Sequence, residues 1–152
     1  MLFHSTRGND SGKDFSTVLM QGLADDGGLF MPDHWPQVDL EEIIKIVEDT
    51  WHDFEHSDLV GIQTFDDVSI LELFHGPTAA FKDFGLQLAA AFFNEVLESE
   101  NKTAIVLGAT SGDTGPAAID ACKSYKRIKS FIMLPNGNMS EVQRRQMSVI
   151  DA

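Results

Sequence analysis

The sequence predicts an α/β fold: a small N-terminal α+β part over residues 1–70, then the first strand–helix units of a parallel-sheet domain over 71–152. Three observations lead there. Two continuous apolar runs, Thr103-Ala104-Ile105-Val106-Leu107 and Ser130-Phe131-Ile132-Met133-Leu134, have the composition of strands buried on both faces. Each run is followed by a segment with helical signals, and a glycine-rich loop over 108–115 joins the first run to its helix. Strand, helix, strand, helix in this order calls for parallel strands joined by right-handed crossovers. A sheet of two such strands is small and needs one more to cover its helices, so the sequence is expected to be cut short.

The 152 residues suffice for one domain with a real core, or for a small domain and part of another. Hydrophobic residues make up 43% and charged residues 23%, a globular rather than a disordered composition. The formal net charge is -13, which repels nucleic acid and anionic membrane and excludes both as expected partners. The one cysteine, Cys122, allows no intrachain disulfide and suits a reducing cytoplasm. No apolar run reaches membrane-spanning length, and the first residues lack the basic start and apolar core of a signal peptide.

The elements follow in order. Phe3 to Arg7 reads as a short strand, and 8–13 as a polar loop. Apolar residues at 15, 18, 19 and 23 share one helical face, and Asp25-Asp26-Gly27-Gly28 ends that helix in a turn. Leu29-Phe30-Met31-Pro32 is a short extended piece stopped by proline. Asp39 is a good N-cap for a helix reaching Phe54, with Glu41 and Glu42 favoured by the helix dipole and Ile43, Ile44, Val47, Trp51 and Phe54 as its stripe. His52 and His56 are four apart but lie in no metal motif, and they read as surface residues of that helix end, with no metal expected. Residues 59–65 and 69–74 suggest two strands around an Asp66-Asp67 turn. A helix is expected over 78–98, with Phe81, Phe84, Leu88, Phe92 and Val96 as its packed face. Another is expected from Pro116 to Tyr125, with Cys122 as a buried small hydrophobe. Pro135-Asn136-Gly137-Asn138 turns the chain, and Ser140 with Gln143 makes a capping box for a last helix, where Arg144 and Arg145 read as solvated charges.

Two stretches carry chemistry. Glu72-Leu73-Phe74-His75-Gly76-Pro77-Thr78 turns the chain into Ala79-Ala80-Phe81-Lys82-Asp83-Phe84-Gly85. Lys82 beside large apolar groups admits two readings. A partly dehydrated amine is a nucleophile. A lysine at a helix start also packs its stem and leaves its amine in water. The second stretch, Gly108-Ala109-Thr110-Ser111-Gly112-Asp113-Thr114-Gly115, follows a strand and opens a helix, so its N–H groups and hydroxyls suit an anion. Ligands of open α/β sheets bind at this end of the strands. The spacing fits neither the dinucleotide fingerprint nor the P-loop, and a plain strand-to-helix turn capped by Thr114 is the other reading.

Together the two stretches resemble the threonine synthase family, pyridoxal-phosphate enzymes of the tryptophan-synthase-β fold type (fold type II). Further blocks are similar in the same order: Ser5-Thr6-Arg7; Gly22-Leu23-Ala24 with Asp26-Gly27-Gly28-Leu29 and Pro32; and Pro135-Asn136-Gly137 with Ser140, Gln143, Gln146 and Met147. The resemblance covers nearly the whole chain. It implies a threonine-synthase-like N-terminal domain over 1–70 and a partial pyridoxal-phosphate-dependent domain over 71–152. It implies conversion of O-phosphohomoserine and water to threonine and phosphate, with Lys82 forming the Schiff base with pyridoxal 5'-phosphate and shuttling protons. Ser111, Gly112, Asp113 and Thr114 are implied on the cofactor side, and Thr110, Ser111, Thr114 and His75 on the substrate side. Asp113 stands where many relatives of the fold type carry Asn, and an ionised carboxylate there repels a carboxylate or phenolate. The family's loop for the cofactor phosphate and the residue meeting the pyridine nitrogen are expected beyond Ala152, and the segment 40–55 looks shorter than in relatives. The chain alone is therefore expected to bind cofactor weakly and turn over little, as a monomer or homodimer in the cytoplasm. Two other readings stand beside this one: another lyase of the fold type, such as a serine or threonine dehydratase, and a non-catalytic remnant.

Overall fold

A computed structural model of the chain describes residues 1–35, 37, 40–137 and 139–148. Asp39, expected as a helix cap, and Asn138, expected in a turn, lie outside the described residues. The chain divides into two compact units, Met1–Ile43 and Ile44–Ala152, so the division drawn from sequence near residue 70 falls inside the second.

In the first unit, strands β1 (Phe3–Ser5), β2 (Ser11–Lys13) and β3 (Phe30–Pro32) form an antiparallel sheet of order β2-β1-β3. β2 lies where sequence suggested only a polar loop. Ser11-Gly12-Lys13 has no apolar alternation and owes its extended form to pairing with β1, in which Phe3 faces Lys13. Helix α1 (Phe15–Gln21) starts at Asp14, whose carboxylate accepts from the Thr17 N–H at 2.8 Å. The two N-terminal blocks meet here. Buried Ser5 donates to Asp26 at 2.6 Å, and Asp26 also accepts from the Gly28 and Asn9 N–H groups. A Cβ at Gly28 would stand 2.1 Å from the Ser5 hydroxyl, so only glycine fits.

Helix α2 (Leu40–Trp51) carries the boundary between the units and stops short of Phe54. Phe54 is buried, with its ring edge-on to Phe84 at 4.9 Å. Trp51 also packs on Phe84, and its indole N–H donates to the Phe84 carbonyl at 3.3 Å. His52 and His56 follow the helix rather than ending it. His56 stacks its ring near that of His75, 4.9 Å away. Strands β4 (Gly61–Phe65) and β5 (Val68–Glu72) form an antiparallel hairpin in which Phe65 faces Val68 across the expected two-residue turn.

The α/β part runs α3 (Lys82–Ser99), β6 (Ala104–Ala109), α4 (Thr114–Lys123), β7 (Ile128–Met133) and α5 (Glu141–Ser148). β6 and β7 pair in parallel, with Val106 facing Ser130 and Ala109 facing Met133, as the order of elements requires. α4 packs on α3 and β7. Leu97, Cys122 and Ile128 form the core, with Phe93, Ala104, Val106 and Tyr125 against it, and Leu97 is wholly buried. Burial pushes the Cys122 thiol up from its ordinary range.

Two expectations are corrected. The strands are covered on one face only: Ile105, Leu107, Phe131 and Met133 alternate outward, and Leu107 is 68% exposed. A continuous apolar run marks composition on both faces, while burial on the second face needs a layer that the described residues do not supply. Helix α3 begins at Lys82, not Thr78, because Ala79 takes a positive φ of 55° that no helix accepts. Phe81, expected in the core, thereby falls outside the helix and is 60% exposed.

Candidate active site around Lys82

The geometry of Lys82 is set by the turn before it. Gly76-Pro77-Thr78-Ala79-Ala80 closes with the Ala79 N–H on the Gly76 carbonyl at 3.0 Å. Asp83, one residue past the lysine, turns back into this turn and is fully buried. Its carboxylate accepts from the Thr78 N–H at 2.9 Å, from the Thr78 hydroxyl, and from the Ala80 N–H at 3.4 Å. These N–H groups precede the first helical turn, so a side chain must satisfy them. A Cβ on Gly76 would come within 2.6 Å of Asp83 Cβ and Oδ2, which explains the glycine. With Asp83 pointing inward, Lys82 points the other way.

Lys82 Nζ lies 3.2 Å from Asp113 Oδ2, in the loop between β6 and α4. The amine also sits 4.2 Å from the centre of the Phe81 ring. Exposed Phe81 therefore supports the lysine head from outside rather than packing its stem. The ammonium beside Asp113 holds that carboxyl below the usual range. The two stretches singled out from sequence thus meet at the carboxyl ends of the parallel strands, 31 residues apart in the chain.

The loop is held by its own groups. The Thr110 N–H donates to Met133 on β7 at 3.2 Å, and the Thr110 hydroxyl accepts from the Gly112 N–H at 3.1 Å. Asp113, not Thr114, stands at the helix cap. It makes no side-chain bond to the helix, because its carboxylate is turned to Lys82. Ser111 and Thr114 are exposed, and among the described residues neither hydroxyl makes a side-chain hydrogen bond. Gly115 is buried, and a Cβ there would meet Met147 Sδ at 2.5 Å and Thr110 Cγ2 at 2.8 Å. His75 is placed differently. Its Nε2 bonds Glu72 at 3.0 Å and its ring lies against Phe74 and His56, so its described partners are on the hairpin side. Arg144 and Arg145 pair with Glu141 on their own helix, as solvated helix charges do. Arg7 donates to the Asp26 carbonyl at 3.0 Å. Among the described residues no group of three His, Cys, Asp or Glu is placed to hold a metal ion, and no helix is long and apolar enough to cross a membrane.

Sequence reasoning missed the Asp83 anchor, the Lys82–Asp113 pair and the bond from Gln146 Nε2 to the Thr78 carbonyl, 3.1 Å long and spanning 68 residues. The first had a faint signal, a carboxylate following a Gly-Pro-Thr turn by five residues. The other two are tertiary. A half-buried amine, a neighbouring carboxylate and a loop with two open hydroxyls at a helix N-terminus form a site that can hold an aldehyde-bearing anion.

Fold and site together define an α/β protein in which Lys82 faces a glycine-rich loop between a parallel strand and the next helix. A family model for the threonine synthase N terminus matches residues 2–59. A threonine synthase of Pseudomonas aeruginosa is 39% identical over 180 aligned positions, covering 99% of this chain and 38% of that protein. The aligned stretch is longer than this chain, so some positions of the relative have no counterpart in it. Among solved structures, pyridoxal-phosphate-bound threonine synthase from Brucella melitensis superposes with a TM-score of 0.85 at 36% identity, over 97% of this chain and 38% of that one. Threonine synthase from yeast gives 0.86 at 33% identity, over 99% and 38%. Over nearly its whole length the chain corresponds to the N-terminal portion of threonine synthases, and it spans 38% of the length of these relatives.

Proposed function

We propose that the site serves threonine synthase chemistry, the conversion of O-phosphohomoserine and water to threonine and phosphate, with pyridoxal 5'-phosphate as cofactor. The observation that carries this reading is the Lys82 amine 3.2 Å from Asp113, in the loop that the resemblance assigns to cofactor and substrate. The residues present fit such a group: one half-buried amine for its aldehyde, and the Ser111 and Thr114 hydroxyls with loop N–H groups for anionic oxygens. When bound, the cofactor supplies an electron sink that makes the substrate's α-hydrogen acidic. Lys82 is the attachment residue and the base that takes this proton and returns it. Asp113 accepts from the Lys82 amine at 3.2 Å and so holds it toward the loop, and the lysine beside it keeps the Asp113 carboxyl below its usual range. Ser111, Gly112 and Thr114 hold the anionic oxygens of cofactor and substrate, with Thr110 shaping the loop and His75 bordering the substrate.

The same reading places the chain in fold type II and in the cytoplasm, as a monomer or homodimer. It keeps a functional division near residue 70, with 1–70 as the threonine-synthase-like N-terminal part and 71–152 as the cofactor-binding part. Turnover by this chain alone is expected to be slow. The test is release of phosphate and threonine in equal amounts from O-phosphohomoserine with added cofactor. Lys82→Ala is expected to abolish it, and serine is expected to yield no keto acid. Phosphate release no greater than that of Lys82→Ala overturns the proposal, and keto acid from serine would move the chain to the dehydratases.

A further inference from the structure

We infer that Gln146, on the last helix, is a positioning residue for Lys82 that acts through the Thr78 carbonyl. The inference rests on the reading of Lys82 as the attachment lysine. All three polar groups of buried Thr78 are engaged by two side chains. Its N–H and hydroxyl donate to Asp83, and its carbonyl accepts from Gln146 at 3.1 Å. The Asp83 bonds are local and fix the shape of the turn. They do not fix where the turn lies relative to the loop that Lys82 must face. Gln146 does that, because α5 also touches the loop. Met147 Sδ would be 2.5 Å from a Cβ on Gly115, and Gln143 Nε2 would be 3.9 Å from one on Gly112. α5 is thus a brace, one face of which carries Gln146 on the lysine's turn and Gln143 and Met147 beside the glycines of the loop.

A purely structural role, satisfying one buried carbonyl, would leave the reactivity of Lys82 in folded molecules unchanged. A positioning role would not, because an amine displaced by about 1 Å can lose up to a hundredfold in rate.

The test is reductive trapping of pyridoxal 5'-phosphate on the full chain. The Lys82 nitrogen and the aldehyde carbon form a C=N bond with loss of water, and hydride from borohydride reduces it to a secondary amine. Peptide mass spectrometry then reads the labelling rate of Lys82 relative to exposed Lys126 in the same molecules. Wild type is expected to label Lys82 faster than Lys126. Gln146→Met keeps the length of the side chain but has no donor, and Gln146→Asn keeps the amide but falls short of the carbonyl. Each is expected to lower the Lys82-to-Lys126 ratio roughly tenfold, with circular dichroism reporting the folded fraction. Arg145→Gln, on the outer face of the same helix, is expected to leave the ratio unchanged. If wild type shows no preference for Lys82, the attachment reading itself fails. If wild type prefers Lys82 and a folded Gln146→Met or Gln146→Asn does so equally, the positioning role alone is overturned. Gln146→Asn is the milder change, so a failure of Gln146→Met to fold leaves the test intact.

Discussion

Asp83 is a wholly buried carboxylate with three hydrogen bonds donated from within five residues of the chain. Removing it leaves the Thr78 and Ala80 N–H groups and the Thr78 hydroxyl without their acceptor. Asp83→Ala is expected to lower unfolding free energy by about 2–4 kcal/mol, read by denaturant titration. Gly76→Ala probes the same anchor from the other side. Its Cβ would press on Asp83 at 2.6 Å, and a cost of about 2 kcal/mol or more is expected because the clash is with a held group. A loss below about 0.5 kcal/mol in either variant would mean that the turn finds another way to close. Glu141 gives a residue-scale pH prediction. Hydrogen bonds from Arg144 and Arg145 lower its pKa from 4.5 to about 2. A depressed folded-state pKa means that its contribution to α5 is complete above 4.5 and fades as pH falls toward 2. Carboxyl chemical shifts should place the Glu141 midpoint near 2, and a midpoint near 4.5 would show that the pairs do not persist in solution.

At the scale of elements, the outward face of β6 and β7 is the feature that sequence reading got wrong. Ile105, Leu107, Phe131 and Met133 alternate with Val106, Gly108, Ser130 and Ile132, so one row lies inward and one outward. A row of four large apolar side chains open to water promotes association between molecules. Leu107→Glu with Phe131→Lys is expected to reduce light scattering at high protein concentration. It should cost under about 1 kcal/mol in stability, because neither side chain is in the core. Loss of several kcal/mol would instead show that this row is buried in solution. The helices show the reverse lesson. Hydrophobic spacing located α3, the loop ending at Pro116 located α4 and the Ser140–Gln143 capping box located α5, while the start of α3 was set by one carboxylate turning back on a loop. That effect shifted the start by four residues and brought Phe81 out to support the Lys82 amine.

For the whole molecule, the charge of -13 dominates behaviour in solution. Like charges repel more strongly in the compact state than in the unfolded chain, and salt screens them. Raising ionic strength from about 0.01 M to about 0.1 M is therefore expected to raise Tm by roughly 2–5 °C in a thermal scan. A fall in Tm would mean that the favourable pairs, such as Lys82–Asp113 and Glu141 with its arginines, outweigh the net repulsion.

Composition, periodicity and turn residues determined the α/β class, the parallel pairing of β6 with β7 and the loop at the strand end, and the resemblance of two stretches to a known family singled out Lys82 and Asp113. Those features depend on neighbours a few residues apart, and local patterns record them. The tertiary structure decided that β2 is a strand and that one sheet face stays open. It also decided that Asp113 pairs with the lysine and that Gln146 reaches the turn before it. Each of these depends on which distant segment arrives at a given surface, and no spacing within the chain records that arrival.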